Sequence, residues 1–243
     1  MSRASSQKPL YPAFREFENA DTMFGALAEK IASSLNAAVA RAGKAGIVVS
    51  GGKTPGDLYD ILAKKSAPWD RVSVTMSDER WVEPTSDRSN EKLVRTRLLV
   101  ANAAAARLVP LKTEAPHARD AEKTVHDAVI AMPRPFDMVV LGMGTDGHTA
   151  SLIPGSDGLA RALDTADPLY VRAVNPPKLT EMGERMTLTL RAILDSRRIV
   201  ILITGEAKRA AYKNAIGGRD IPAAPVRAVL QQTATPVEVF WSP

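Results

Sequence analysis

Short β-branched apolar runs alternate along the chain with longer segments whose apolar residues recur at helical spacing. Ile47-Val48-Val49, Val72-Ser73-Val74, Met138 to Leu141 and Ile199 to Ile203 are compact runs of the kind that form buried strands. Between them, a helix is expected from Asp21, as its N-cap, to Ala42, with Gly43 placed to end it. Thr54-Pro55 predicts a second helix start, because threonine caps and proline tolerates the first helical position. Further helices are expected over 90–101, 118–131, 206–216 and 223–231. The alternation predicts an α/β fold: a mostly parallel, Rossmann-like sheet with helices on both faces. In such sheets ligands bind beyond the C-terminal ends of the strands.

The unusual residues stand at those ends. Ser50 to Pro55, Ser77 to Trp81, Gly142 to His148 and Gly205 to Lys208 each follow an apolar run, so four polar or glycine-rich loops are expected to converge on one edge. Gly51-Gly52-Lys53-Thr54, set between a strand and a helix, offers backbone donors and the positive end of a helix dipole, which suits a phosphate. It is no nucleotide P-loop: Ile47 stands where that motif requires its first glycine. Gly142-x-Gly144-x-x-Gly147 matches the dinucleotide fingerprint by letter, but it falls past mid-chain, and Pro154-Gly155 interrupts the long helix that should follow. It reads instead as a turn presenting Asp146 and His148 beside a ligand. Asp146 is near enough to orient the imidazole or stabilise its charged form, as a general base requires.

Arg80, Arg185 and Lys208 each adjoin an apolar run, and a planar guanidinium fork together with a point-charge ammonium suits a multiply anionic sugar phosphate. Asp78 and Glu79 are expected to bind sugar hydroxyls or to fix Arg80. Ser151 lacks a nucleophile elbow and reads as the start or cap of a turn. His117 and His126 read as solvated side chains of a surface helix and its approach.

Composition narrows the choices. The 243 residues contain no cysteine, which excludes disulfides, iron–sulfur clusters, thiolate zinc sites and a cysteine nucleophile. The three histidines lack ligand spacing, so no metal and no cofactor is expected. The polar start MSRASSQKPLYP lacks the apolar core of a secretory signal, and no run approaches a membrane span, so a cytoplasmic protein with no membrane partner is expected. Residues 1–12 are expected to be a flexible tail and 13–243 a single α/β domain. A net charge of +5 permits an anionic partner. Nucleic acid is not expected, since the basic residues come in scattered pairs such as Lys64/Lys65 and Arg197/Arg198 and aromatics are only 5%. The alanine cluster Ala103 to Ala106 reads as a helix end or linker. Oligomeric state leaves no mark in the sequence.

Five blocks in order, SGGKTP at 50–55, SDERWV at 77–82 followed by Ser89-Asn90, GMGTDGHTASLIPGS at 142–156, RMTLTL at 185–190 and TGEAK at 204–208, resemble the 6-phosphogluconolactonase family within the glucosamine-6-phosphate isomerase/deaminase fold group. The resemblance implies a metal-independent hydrolase that opens 6-phospho-D-glucono-1,5-lactone, a step of the pentose phosphate pathway. It implies His148 as the base with Asp146 beside it, and Gly51, Gly52, Lys53, Thr54, Asp78, Arg80, Arg185 and Lys208 at the substrate and phosphate. Ile153 departs from it, standing where an aromatic is common. Two other readings are open: a sugar-phosphate isomerase/deaminase with Asp78 shuttling a carbon-bound proton, and a non-catalytic sugar-phosphate sensor.

Overall fold

The computed structural model describes residues 12–52, 54–177 and 179–243; residues 1–11 of the expected tail, and Lys53 of the glycine loop, lie outside the described residues. The strands are β1 (Ala13–Glu16), β2 (Ala45–Val49), β3 (Val72–Met76), β4 (Asp78–Arg80), β5 (Arg107–Leu108), β6 (Met138–Gly142), β7 (Val171–Val174), β8 (Arg185–Leu188), β9 (Ile199–Thr204) and β10 (Val237–Ser242). The α-helices are α1 (Ala20–Ala42), α2 (Pro55–Leu62), α3 (Asn90–Leu93), α4 (Ala118–Ile130), α5 (Leu159–Leu163), α6 (Leu179–Met182), α7 (Leu190–Leu194), α8 (Glu206–Gly217) and α9 (Val226–Leu230).

Seven strands form a parallel sheet in the order β1-β10-β9-β6-β2-β3-β5. All of β2, and all but the last residue of β6 and of β9, is buried. Since successive side chains point to opposite faces, both faces of the sheet centre must be covered, which is why these strands read as unbroken apolar runs. On α1, Met23, Leu27, Ile31 and Leu35 follow one another at intervals of four and are at most 1% exposed, forming the stripe that packs into the common core. From β2 the chain builds outward through β3 and β5, then returns to β6 on the other side of β2 and builds outward again. The order therefore reverses between β2 and β6, the switch point at which a crevice opens beyond the strand ends.

A second, antiparallel sheet, β4-β8-β7, had no counterpart in the expected elements. Neither had β1 and β10, which extend the main sheet on one side. Four helix boundaries differ from expectation for local reasons. Asn19, not Asp21, caps α1, its side chain accepting the Thr22 N–H at 2.9 Å. Thr54 makes no side-chain cap because it already has helical dihedrals, and Pro55 fills the first position. The helix expected over 90–101 stops at Leu93, winds on as a wider π turn to Leu98 and resumes as a 3-10 turn over Ala101–Ala105. That last turn is tied to the end of α2, where the Ala103 N–H donates to the Ala63 carbonyl and Asn102 donates to that of Lys64. The last helix begins only at Val226, since the Pro225 ring disfavours helical dihedrals at the residue before it, Ala224. Among the described residues no helix is long and apolar enough to cross a membrane.

Glu238, the second residue of β10, is a buried charge that binds three elements together: Lys30 of α1 at 2.8 Å, Arg15 of β1, and Arg198 just before β9. Burial alone would raise its pKa, but hydrogen bonds from Lys30, Arg15 and Arg198 outweigh it and hold the carboxyl at about 2. A depressed folded-state pKa means stability that is full above the unfolded value, about 4.3, and is lost as pH falls toward the folded value. Chemical denaturation between about pH 4.5 and 2 should therefore show a steep acid loss of stability that Glu238→Gln flattens. An equal slope in the variant would show that other carboxylates set the acid limit.

Candidate active site

The crevice at the switch point is a cleft of about 540 Å³. Gly51, Gly52, Thr54, Asp78, Arg80, Asp146, His148, Arg185 and Lys208 all line it, so every described residue that the family resemblance placed at the site converges there. Loops after β2, β6 and β9 supply the glycine turn, the Asp146/His148 turn and Lys208; the small sheet supplies Asp78, Arg80 and Arg185.

The β6 loop is folded tightly on itself. The Gly144 N–H donates to the His148 carbonyl at 2.9 Å, and the Thr149 hydroxyl to that of Gly142 at 2.8 Å. Within it, Asp146 Oδ1 accepts the His148 backbone N–H at 3.1 Å and lies 2.6 Å from His148 Nδ1. The carboxylate thus keeps the ring proton on Nδ1 and leaves Nε2 as the nitrogen able to take a proton from a ligand. Gly144 makes room for this pair: a Cβ there would fall 2.2 Å from Nδ1 and 2.5 Å from Asp146 Oδ1.

Cations gather at the other wall. Arg80 of β4 and Arg185 of β8 face each other directly across the antiparallel pair, a placement that repels unless an anion lies between or beside the two. Burial and the neighbouring Arg80 and Arg88 charges lower the Arg185 pKa, against the attraction of Asp78, 4.0 Å away. The Nε atoms of both Arg80 and Arg185 are buried without a partner. Lys208, in the first turn of α8, has its pKa lowered by burial, and no carboxylate pairs with it among the described residues. The cleft therefore holds more positive charge than its own carboxylates balance.

The two acidic residues of the SDER block are placed differently: Asp78 lines the cleft and Glu79 does not. Asp78 does not pair with Arg80: its Oδ1 accepts the Ser77 hydroxyl at 3.0 Å and its Oδ2 the Ser151 hydroxyl at 2.6 Å. Glu79 reaches neither the cleft nor the Arg80 guanidinium. Fully buried, it accepts the backbone N–H groups of Arg80, Asn90 and Glu91 and the Ser89 hydroxyl, fastening β4 to the start of α3. Desolvation raises its pKa, and those four bonds oppose the rise. Ser151 is no turn cap but the fully buried donor that fixes Asp78. Of the other histidines, His117 is mostly exposed and bonds Glu184, while His126 Nδ1 accepts the Tyr170 N–H and is less solvated than expected.

Asn90 lines the cleft without having been assigned a role. Its amide donates to the Asp78 carbonyl at 2.8 Å and packs against Gly51, where an added Cβ would fall 2.0 Å from its Oδ1. It locks the glycine turn to the strand bearing Asp78 and Arg80. The only sequence signal was its place beside Ser89 in the second block.

A family model described as glucosamine-6-phosphate isomerases/6-phosphogluconolactonase matches residues 18–241. A 6-phosphogluconolactonase of Mesorhizobium japonicum is 45% identical over 219 residues, 90% of each chain. The crystal structure of a 6-phosphogluconolactonase from Shewanella baltica superposes with a TM-score of 0.92 at 44% identity, covering 96% of this chain and 98% of that one. A monomeric glucosamine-6-phosphate deaminase, 17% identical, shares the fold with a TM-score of 0.77 over 95% and 97% of the two chains. The match along nearly the whole length places this chain in the glucosamine-6-phosphate isomerase/6-phosphogluconolactonase family.

Proposed function

We propose that the protein hydrolyses 6-phospho-D-glucono-1,5-lactone to 6-phosphogluconate, with His148 as general base and without a metal. The observation that carries this reading is an imidazole oriented by a carboxylate at 2.6 Å, in the same cleft as three cations that their own neighbours leave underbalanced. Arg80, Arg185, Lys208 and the Gly51–Thr54 turn hold the phosphate end, with Asp78 at the sugar. Anchoring that end presents the ring ester to His148 and converts a bimolecular attack into one within the complex. Nε2 removes a proton from water as its oxygen attacks the lactone carbonyl carbon. The tetrahedral oxyanion then collapses, the bond from that carbon to the ring oxygen breaks, and the imidazolium returns its proton to the departing oxygen. A lactone carbonyl is electrophilic enough for this without a Lewis acid, and among the described residues no cluster of three or more His, Asp or Glu could hold a metal ion.

Lactone hydrolysis, followed by acid release at a pH where spontaneous opening is slow, should proceed at the same rate with and without a strong chelator. Loss of activity in chelator would refute the metal-free mechanism. Release of ammonia from glucosamine 6-phosphate, without lactone turnover, would replace this reading with the deaminase. Lys208→Ala and Arg80→Ala should each raise KM about tenfold or more, by losing a charge-assisted bond of about 1.5–3 kcal/mol, and leave kcat within a few-fold. An unchanged KM would remove that side chain from the phosphate site.

A further inference from the structure

At the opposite end of the sheet, where β2, β6 and β9 begin, lies a second depression of about 240 Å³. The end of α1, the segment 132–137 and the approach to β9 form its walls. They bring together Arg41, Lys44, Arg134 and Arg197 around one carboxylate, Asp137. Asp137 is itself buried, with a side chain 6% exposed. Its Oδ2 accepts the Gly46 N–H at 3.0 Å, and its Oδ1 receives Arg41 Nη2 at 2.7 Å and faces Arg197 Nε at 3.5 Å. One carboxylate thus engages a single nitrogen on each of two guanidinium groups, which stay 45% and 48% exposed. Arg134 is paired with Asp195 at 2.6 Å behind the rim. Lys44 is exposed, and no acidic side chain pairs with it among the described residues.

Four cations therefore face two carboxylates, both already bonded, one to backbone and arginine, the other to Arg134 and Tyr170. Drawing like charges together is unfavourable unless an anion joins them, and a buried carboxylate that pre-orients guanidinium forks reduces the ordering that such an anion would otherwise require. The charges converge on a depression rather than running as a stripe, which favours a small ligand over a polyanionic chain. We propose that this depression is a second anion site, separate from the cleft, that takes a phosphorylated small molecule carrying at least two negative charges. It shares no lining residue with the cleft and lies roughly 16 Å away, the length of the five-residue strand between them at about 3.3 Å per residue.

Inorganic pyrophosphate is a suitable probe, titrated calorimetrically into the full chain at low ionic strength against sodium chloride of matched ionic strength. Pyrophosphate should also enter the cationic cleft, so the measurement is made on an Arg80→Ala/Lys208→Ala background. There, about one equivalent should still bind, and either Lys44→Glu or Arg197→Ala should weaken it about tenfold or more. Lys44 is exposed, so its substitution tests the charge without disturbing the fold. No binding beyond the chloride control on that background, or residual binding indifferent to both substitutions, would overturn the proposal. Because no lactone is used, the result is independent of the lactonase reading.

Discussion

Replacing His148 by alanine should lower kcat by about 10²–10⁴-fold, roughly 3–5 kcal/mol of barrier, while KM stays within a few-fold. The split follows from position. The ring stands on the β6 loop, whereas Arg80 and Arg185 are on the small sheet and Lys208 opens α8, so truncating the ring leaves the anchoring charges in place. The side chain is 40% exposed, and its deletion leaves no dry cavity, so thermal stability should change little. Steady-state acid release, together with a melting curve, separates loss of the base from loss of the fold. Added imidazole should restore part of the lost turnover, since the space vacated opens on the cleft. Turnover equal to that of the unsubstituted protein would remove His148 from the chemistry, whatever its geometry.

Gly144→Ala should be nearly as damaging although it deletes nothing. The new methyl would fall 2.2 Å from His148 Nδ1 and 2.5 Å from Asp146 Oδ1, where ordinary contact needs about 3.5 Å or more. Ring, carboxylate or loop must therefore move by about 1 Å, and a misplacement of that size costs about 10²-fold in rate. Gly144 does not have a positive φ, so alanine strains no backbone and the effect isolates the side-chain pair. The expected result is a fall in kcat of about 10²-fold with KM little changed. Asp146→Asn in the same assay keeps the space but weakens the hold on the Nδ1 proton, and it should also lower kcat. A fully active Gly144→Ala would mean that the carboxylate–imidazole contact has no part in turnover.

Much of the site could be read from local pattern, because parallel strands buried on both faces announce themselves as apolar runs and their C-terminal loops follow immediately. Gly51, Gly52, Thr54, Asp146, His148 and Lys208 were found this way, and all line the cleft. The antiparallel sheet could not be. β4 has three residues, is separated from β3 only by Ser77, and pairs with a strand more than a hundred residues away, so neither a turn signal nor an alternating pattern marks it. That pairing sets Arg80 opposite Arg185, a relation visible only in three dimensions. Ser151 and Glu79 were misread for the same reason. The partner of Ser151 lies 73 residues away, and an acidic residue in a polar loop looks like a ligand until four donors are found closing over it. The broken helix after Asn90 is a case of tertiary contact with α2 overriding a good local helical pattern.

Underbalanced charge in the cleft bears on the end of the proposed cycle as much as on its beginning. Ring opening turns an ester into a carboxylate, so the molecule that must leave is more anionic than the one that arrived. Arg80, Arg185 and Lys208 would retain it. In the proposed cycle, however, the new carboxylate forms on the Nε2 side of His148, with Asp146 across the ring at Nδ1, and once the imidazole is neutral again the aspartate's uncompensated negative charge favours the product's departure. The aspartate that readies the ring would then also help to evict the product.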